Sequence, residues 1–270
     1  MKRSASQRVN VTPTHHFFAS ARRSAFTLIE LLVALGVISI LLAILMPALR
    51  AGRCAADDLR CRADLRTIVM DFATFADSAT AGSRGDSERL GGNRFRLEDF
   101  QEKQYNIDEF WDGALVERER IKMSEAVMMC PAGPKELERR SHIPCSSGAV
   151  GPQANVSLAF NRRLFKKTRY IDGMAFPANA YLTQNELNFP DAPLLFDVDG
   201  AVAVERGVPA YYSAPAVKTS GVPDIYVSGD YWFPSMRHGG RMNVGFIGGH
   251  VLSSSSPLEE PWWRWDHQPE

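Results

Sequence analysis

Arg22-Arg23-Ser24-Ala25-Phe26-Thr27-Leu28-Ile29-Glu30 leads into an apolar run, Leu31 to Leu49, that no charge interrupts. The run has 19 residues. As a helix it covers most of a bilayer hydrocarbon core of about 30 Å. Glu30 stands at its edge. A carboxylate there is costly in lipid, so it calls for a partner. A secretory signal carries its small-residue cleavage site after a shorter apolar core. Here Ser24 and Ala25 come before the apolar segment. The segment therefore reads as an anchor that stays in the protein.

Charge is balanced overall, with 31 basic and 31 acidic residues in 270, but it is unevenly spread. Lys2, Arg3, Arg8, Arg22 and Arg23 lie in the first 25 residues, which hold no acid. The remainder has 26 basic and 31 acidic residues, a net charge of −5. A mildly acidic body argues against nucleic acid as a partner. The basic head favours a cytoplasmic N-terminus. Arg50, Arg53, Arg60, Arg62 and Arg66 beyond the run nearly cancel that bias.

Helical periodicity continues past Pro47, a residue that can kink a helix. Leu49, Cys54, Leu59, Cys61, Leu65, Ile68, Val69, Phe72, Phe75 and Ala76 return at spacings near three and four, which predicts an amphipathic helix to about Asp77. Arg, Asp57, Asp58 and Asp64 between them read as a solvated face. Further on, the pattern predicts short helices near Leu97–Lys103 and Glu119–Met129, a loop over 131–154, and a strand at Val156–Phe160. It also predicts two hairpins. One joins 194–198 to 201–204 around Asp199-Gly200; the other joins Met242–Ile247 to His250–Ser253 around Gly248-Gly249. Residues 209–234 read as a long loop. Trp262, Trp263 and Trp265 in the tail are expected to dock rather than all face solvent.

Cys54 and Cys61 are about 10.5 Å apart by helix rise and cannot bond within one helix. Cys130 and Cys145 flank a loop bearing Pro, Gly and Ser, and a disulfide across it is the expectation, although connectivity is not fixed by sequence. A zinc site from all four cysteines is the competing idea; no Cys-x-x-Cys pair or His partner supports it. Calcium needs six to eight oxygens. Asp197, Asp199, Asp224 and Asp230 are the candidate donors, without a recognised loop spacing. No cofactor or metal is therefore expected, calcium being the one candidate. No nucleophile elbow, zinc-enzyme signature or phosphate loop is present, so no catalytic residue is expected.

The stretch Ala25-Phe26-Thr27-Leu28-Ile29-Glu30-Leu31-Leu32-Val33 resembles the class III prepilin signal of type IV pilins and type II secretion pseudopilins. The resemblance implies a cut between Ala25 and Phe26 by a membrane prepilin peptidase, N-methylation of Phe26, and retention of the apolar segment. Ala25 stands where that family usually has Gly. Glu30 would be mature position five, and Pro47 would match the family's helix-kinking proline. A free amine on Phe26 lies about 6 Å along the axis from Glu30. The amine of an axially shifted neighbour would meet this carboxylate. That contact is heterologous and non-closing, so it builds a filament.

Arg237-His238-Gly239-Gly240 through Gly248-Gly249-His250-Val251 resembles the C-terminal motif of a large prepilin-like family, named for a His, nine residues, then Asp-Gly. Here Gly248 replaces the Asp. Cys61-Arg62-Ala63-Asp64-Leu65-Arg66 and Cys130-Pro131 also resemble that family. The motif's role is not implied by the resemblance; His238 reads as a structural cap or brace of the last hairpin.

Together these readings predict an α+β, pilin-like fold: a leader (1–25), a transmembrane helix (26–49), an amphipathic outer half (50–80) and an extracytoplasmic body (81–270). They predict a non-enzymatic pilin or pseudopilin-like subunit, spanning the inner membrane once, with its N-terminus cytoplasmic and its body periplasmic. Prepilin peptidase, other pilin subunits, the inner-membrane assembly platform and membrane lipid are the expected partners. A signal-anchored extracytoplasmic binding protein is the alternative; an anchored enzyme ranks below it.

Overall fold

A computed structural model describes residues 27–77, 94–105, 120–122, 129–134, 136–138, 156–217 and 224–269. The chain divides into two units, Met1–Leu49 and Arg50–Glu270.

Helix α1 covers Leu28–Asp77. It is long and apolar enough in its first part to cross a membrane. Every described residue of the first unit is exposed, Leu28, Ile44 and Leu41 among them. An apolar helix whose described residues are all exposed is suited to lipid or to other helices around it. Pro47 lies inside α1 without ending it. Proline has no N–H for the Ala43 carbonyl, so one helical hydrogen bond is missing there.

In the second unit α1 changes character. Cys61, Leu65, Ile68, Val69, Phe72, Phe75 and Ala76 are buried, one stripe at the spacing the sequence predicts. Leu49, Cys54 and Leu59 are exposed, so the packed stripe begins at Cys61. The helix ends at Asp77 as expected.

The body is built from short elements. They are β1 (Arg94–Phe95), α2 (Leu97–Tyr105), β2 (Arg120–Lys122), β3 (Glu136–Glu138), β4 (Leu158–Asn161), β5 (Lys166–Ile171) and β6 (Met174–Asn179). After them come β7 (Leu182–Thr183), β8 (Pro193–Asp197), α3 (Gly200–Glu205), β9 (Tyr212–Ser213), β10 (Met242–Phe246) and β11 (Val251–Ser254). The main sheet has the order β11-β10-β8-β4-β9. Its pairs are antiparallel except β4 with β9, which is parallel. This is the expected α+β layout of a long N-terminal helix followed by a mainly antiparallel sheet.

Strands β4, β8 and β10 are buried along their whole length. The sheet meets α1 closely at Gly245, where an added Cβ would lie 2.8 Å from Val69 Cγ2. Phe72 packs edge-on against Phe100 at 5.3 Å, Phe75 against Phe95 at 5.2 Å, and Phe100 against Phe160 at 6.1 Å. These rings tie α1 to β1, α2 and β4. Each such pair is worth about 0.5–1.5 kcal/mol beyond its buried area.

The C-terminal tail closes one side. Trp265 is buried and donates Nε1–H to the Pro257 carbonyl at 2.8 Å. Trp263 stands edge-on to Phe246 at 5.0 Å, whereas Trp262 is exposed. The docking expectation thus holds for two of the three tryptophans.

Four local expectations are corrected. Within the expected loop over 131–154, residues 136–138 form β3, held by pairing to β2. Residues 201–204 do not form a strand: Asp199 caps α3 by accepting from Ala201 N at 3.0 Å, and Gly200 N donates to Val156 O. The Asx cap turns the chain into a helix despite the alternating Ala/Val pattern. Within the expected helix 119–129, residues 120–122 form β2, paired with β3 from Arg120↔Glu138 to Lys122↔Glu136; that pairing satisfies the backbone without a helix. Residues 123–128 lie outside the described residues. The expected loop over 209–234 contains β9, held by pairing to β4. The predicted strand near Val156–Phe160 is present as β4, and the predicted helix near Leu97 as α2.

Candidate functional site

Two places carry the chemistry singled out in the sequence. The first is the start of α1. Ala25 and Phe26 lie outside the described residues, and the description begins at Thr27. Thr27 and Glu30 form a reciprocal cap. Thr27 N and Oγ1 each donate to Glu30 Oε2 at 2.8 Å, and Glu30 N donates to Thr27 Oγ1 at 3.3 Å. This is a capping box. Its signal, Thr-x-x-Glu before an apolar run, is present in the sequence and was not used in the reading above.

The second place is a buried polar cluster in the body. Cys61 comes from the start of the packed stripe of α1. Cys130 precedes Pro131 in a turn closed by Gly133 N donating to Cys130 O at 2.8 Å. Asp197 ends β8. His238 sits in a turn before β10, where Gly239 and Gly240 take positive φ values of 63° and 79°. That backbone costs glycine nothing and would strain other residues. The turn is pinned by His238 N to Arg241 O and Arg241 N to His238 O.

These four side chains converge. Cys130 Sγ lies 3.1 Å from His238 Nε2, and His238 Nε2 lies 3.5 Å from Asp197 Oδ2. The Cys61 thiol donates to Asp197 Oδ1 at 3.5 Å. All four are buried. Asn243 N on β10 donates to Asp197 Oδ2 at 2.8 Å. On the far side of the ring, His238 Nδ1 lies 3.5 Å from Asp58 Oδ1, which also accepts from Asn243 Nδ2 at 2.9 Å. Asp58 further pairs with Arg62 one turn along α1. The reading of Asp58 as a solvated charge is thus corrected: it joins the helix to the sheet.

The electrostatics follow from this packing. Burial opposes charge on His238, but hydrogen bonds to Asp197 and Cys130 outweigh it and raise its pKa to about 10. The Cys130 thiol is pushed down by its hydrogen bond with Cys61 and by His238. The Cys61 thiol is pushed up by Cys130, by burial and by the Asp197 charge.

The His238 ring faces Asp58 on α1, Asp197 on β8 and Cys130. Cys130 is a free thiol in the structure; Cys145, its expected partner, lies outside the described residues. The four calcium candidates have separate engagements. Asp197 is in the cluster and Asp199 caps α3. Asp224 pairs with buried Arg163 at 2.5 Å, and Asp230 accepts from Ser228 at 2.5 Å. The last hairpin forms as expected, with Gly249 at φ 89° and Gly249 N donating to Phe246 O.

The packing at Gly248 leaves no room for an aspartate. The residue has ordinary φ, but an added Cβ would lie 2.6 Å from Pro190 Cβ and 2.8 Å from Pro190 O. Gly248 N also donates to that carbonyl at 3.0 Å. Gly248→Asp therefore forces backbone apart. A loss of about 1–3 kcal/mol is expected, read as a lower urea midpoint; an unchanged midpoint would contradict this packing.

The prokaryotic N-terminal methylation motif matches residues 20–46. With the long apolar helix it fits a type IV pilin-like protein and marks the chain as membrane-anchored. No curated protein and no solved structure matches the chain.

Proposed function

We propose that this chain is a structural subunit of a type IV pilus or type II secretion pseudopilus, cut between Ala25 and Phe26, N-methylated on Phe26, and assembled through α1. The observation that carries the reading is the first half of α1: wholly exposed, uncharged from Leu31 to Leu49, with one acid, Glu30, at its start. A lone carboxylate in lipid or in a helix bundle needs a cation. Cleavage supplies one, the Phe26 ammonium. Each subunit then offers its amine to one neighbour and its carboxylate to another, an arrangement that propagates without closing. Pro47 weakens the helical ladder near the outer end of the span, where packing between subunits can take up a bend. The body is extracytoplasmic in this reading, and the chemistry is assembly rather than catalysis.

Co-expression with a prepilin peptidase tests the processing step. N-terminal sequencing of the product is expected to begin at Phe26. Ala25→Gly is expected to be cut at least as fast, and Ala25→Glu to persist as precursor. Equal processing of Ala25→Glu, or a product beginning elsewhere, would refute the assigned site.

A further inference from the structure

Cys61, Cys130, Asp197 and His238 are separated by tens of residues in sequence, yet their donor atoms all lie within 4.8 Å of one another. We infer that these four side chains form a closed, tetrahedral site for one divalent zinc-class ion that ties the outer half of α1 to the sheet.

The donor spacings approach those of a tetrahedral coordination shell. Zinc holds sulfur at about 2.3 Å and nitrogen or oxygen at about 2.0–2.2 Å, so donors at the corners of its tetrahedron sit about 3.3–3.8 Å apart. Cys130 Sγ lies 3.1 Å from His238 Nε2, His238 Nε2 lies 3.5 Å from Asp197 Oδ2, and Cys61 Sγ lies 3.5 Å from the other oxygen of that carboxylate, Oδ1; with one donor atom from each residue, all four fall within 4.8 Å, so small side-chain adjustments bring them to those spacings. Two thiols and an imidazole select a zinc-like ion over calcium or magnesium, which prefer oxygen.

The surroundings fit a ligand set. A metal-bound histidine commonly turns its other ring nitrogen to a carboxylate, which fixes the ring. His238 Nδ1 faces Asp58 in that way while Nε2 faces the sulfurs and Asp197. Asp197 is held in turn by the Asn243 backbone N–H. The site has four donors and is buried, without the open position of a catalytic zinc. Binding releases to solvent the imidazolium proton and whatever protons the two thiols still hold, and leaves two thiolates, one carboxylate, a neutral imidazole and the cation, one net negative charge in all. Arg62 pairs with Asp58, the carboxylate on the far side of the ring.

Each of the three sequence fragments that match the second prepilin-like family, around Cys61, Cys130 and His238, sends one side chain to this point. A structural ion accounts for that convergence and for the burial of two thiols in a chain whose third described cysteine, Cys54, is exposed. The inference stands apart from the assembly reading: an unprocessed chain would bind the ion equally.

The test uses the full chain, purified in detergent without chelator. Metal content is measured by inductively coupled plasma mass spectrometry, and the reduced, metal-stripped chain is titrated with cobalt(II). About one zinc per chain is expected, with a thiolate-to-cobalt charge-transfer band on titration. Cys61→Ser and His238→Ala are expected to lose most of the zinc. His238→Cys, which restores a ligand, is expected to keep it, and this separates coordination from mere folding. Peptide mapping under non-reducing conditions gives the contrary outcomes. A metal-free chain with Cys61 and Cys130 joined in a disulfide would overturn the inference. So would a metal-free chain with both thiols reduced and no cobalt band.

Discussion

Glu30→Ala is expected to remove the chain from filaments while leaving its membrane level and its body unchanged. Removing one partner of a buried charge pair costs about 3–5 kcal/mol, because the other charge is left in low dielectric. At about 1.4 kcal/mol per tenfold, that is a loss of at least about 100-fold in each subunit contact. The substitution also deletes the capping box with Thr27, worth about 0.5–2 kcal/mol of helix stability. Thr27→Ala separates the two effects: it removes the hydroxyl cap and keeps the carboxylate, so assembly should fall far less. The measurement is the amount of subunit in sheared filament fractions against the amount in membranes. Equal incorporation of Glu30→Ala and wild type would remove the charge pair from the account.

Phe72→Ala is expected to destabilise the body by about 3–5 kcal/mol, the usual cost of deleting a buried aromatic ring. Phe72 is fully buried and meets Phe95 and Phe100 at 6.1 and 5.3 Å. Its loss opens a cavity where α1 meets β1 and α2. Native domains hold only about 5–15 kcal/mol in total, so this one change removes a large share. The readout is urea denaturation followed by tryptophan fluorescence, since Trp265 is buried in the same core. Phe176→Ala is the control. That ring is 40% exposed on the β5–β6 hairpin, and the expected change is within about 0.5 kcal/mol. Similar losses for both variants would mean that the helix is not packed as described.

The anchor and the stripe of α1 were legible because their signals are local and repeated. A run of nineteen uncharged, mainly apolar residues needs no tertiary context, and Leu65, Ile68, Val69 and Phe72 declare one face by spacing alone. The last hairpin was legible for the same reason, through Gly248-Gly249. The β5–β6 hairpin was missed although Asp172-Gly173, at φ 51° and 78°, is a strong two-residue turn signal. Asp199-Gly200 misled in the opposite direction: the same dipeptide type caps a helix when its carboxylate finds the N–H two residues on. The buried cluster was not legible at all as a site. Cys61, Cys130, Asp197 and His238 have no shared spacing; only the packing of α1 on β8 and β10 brings them together. Each alone reads as a core thiol, a turn acid or a structural histidine.

In the proposed assembly, a trimmed, positively charged N-terminus serves the acid of a neighbouring helix. Intact mass spectrometry of the native membrane form tests it most directly. The account predicts a chain that begins at Phe26 and carries one added methyl group. A mass that retains residues 1–25 would contradict it and leave an ordinary anchor.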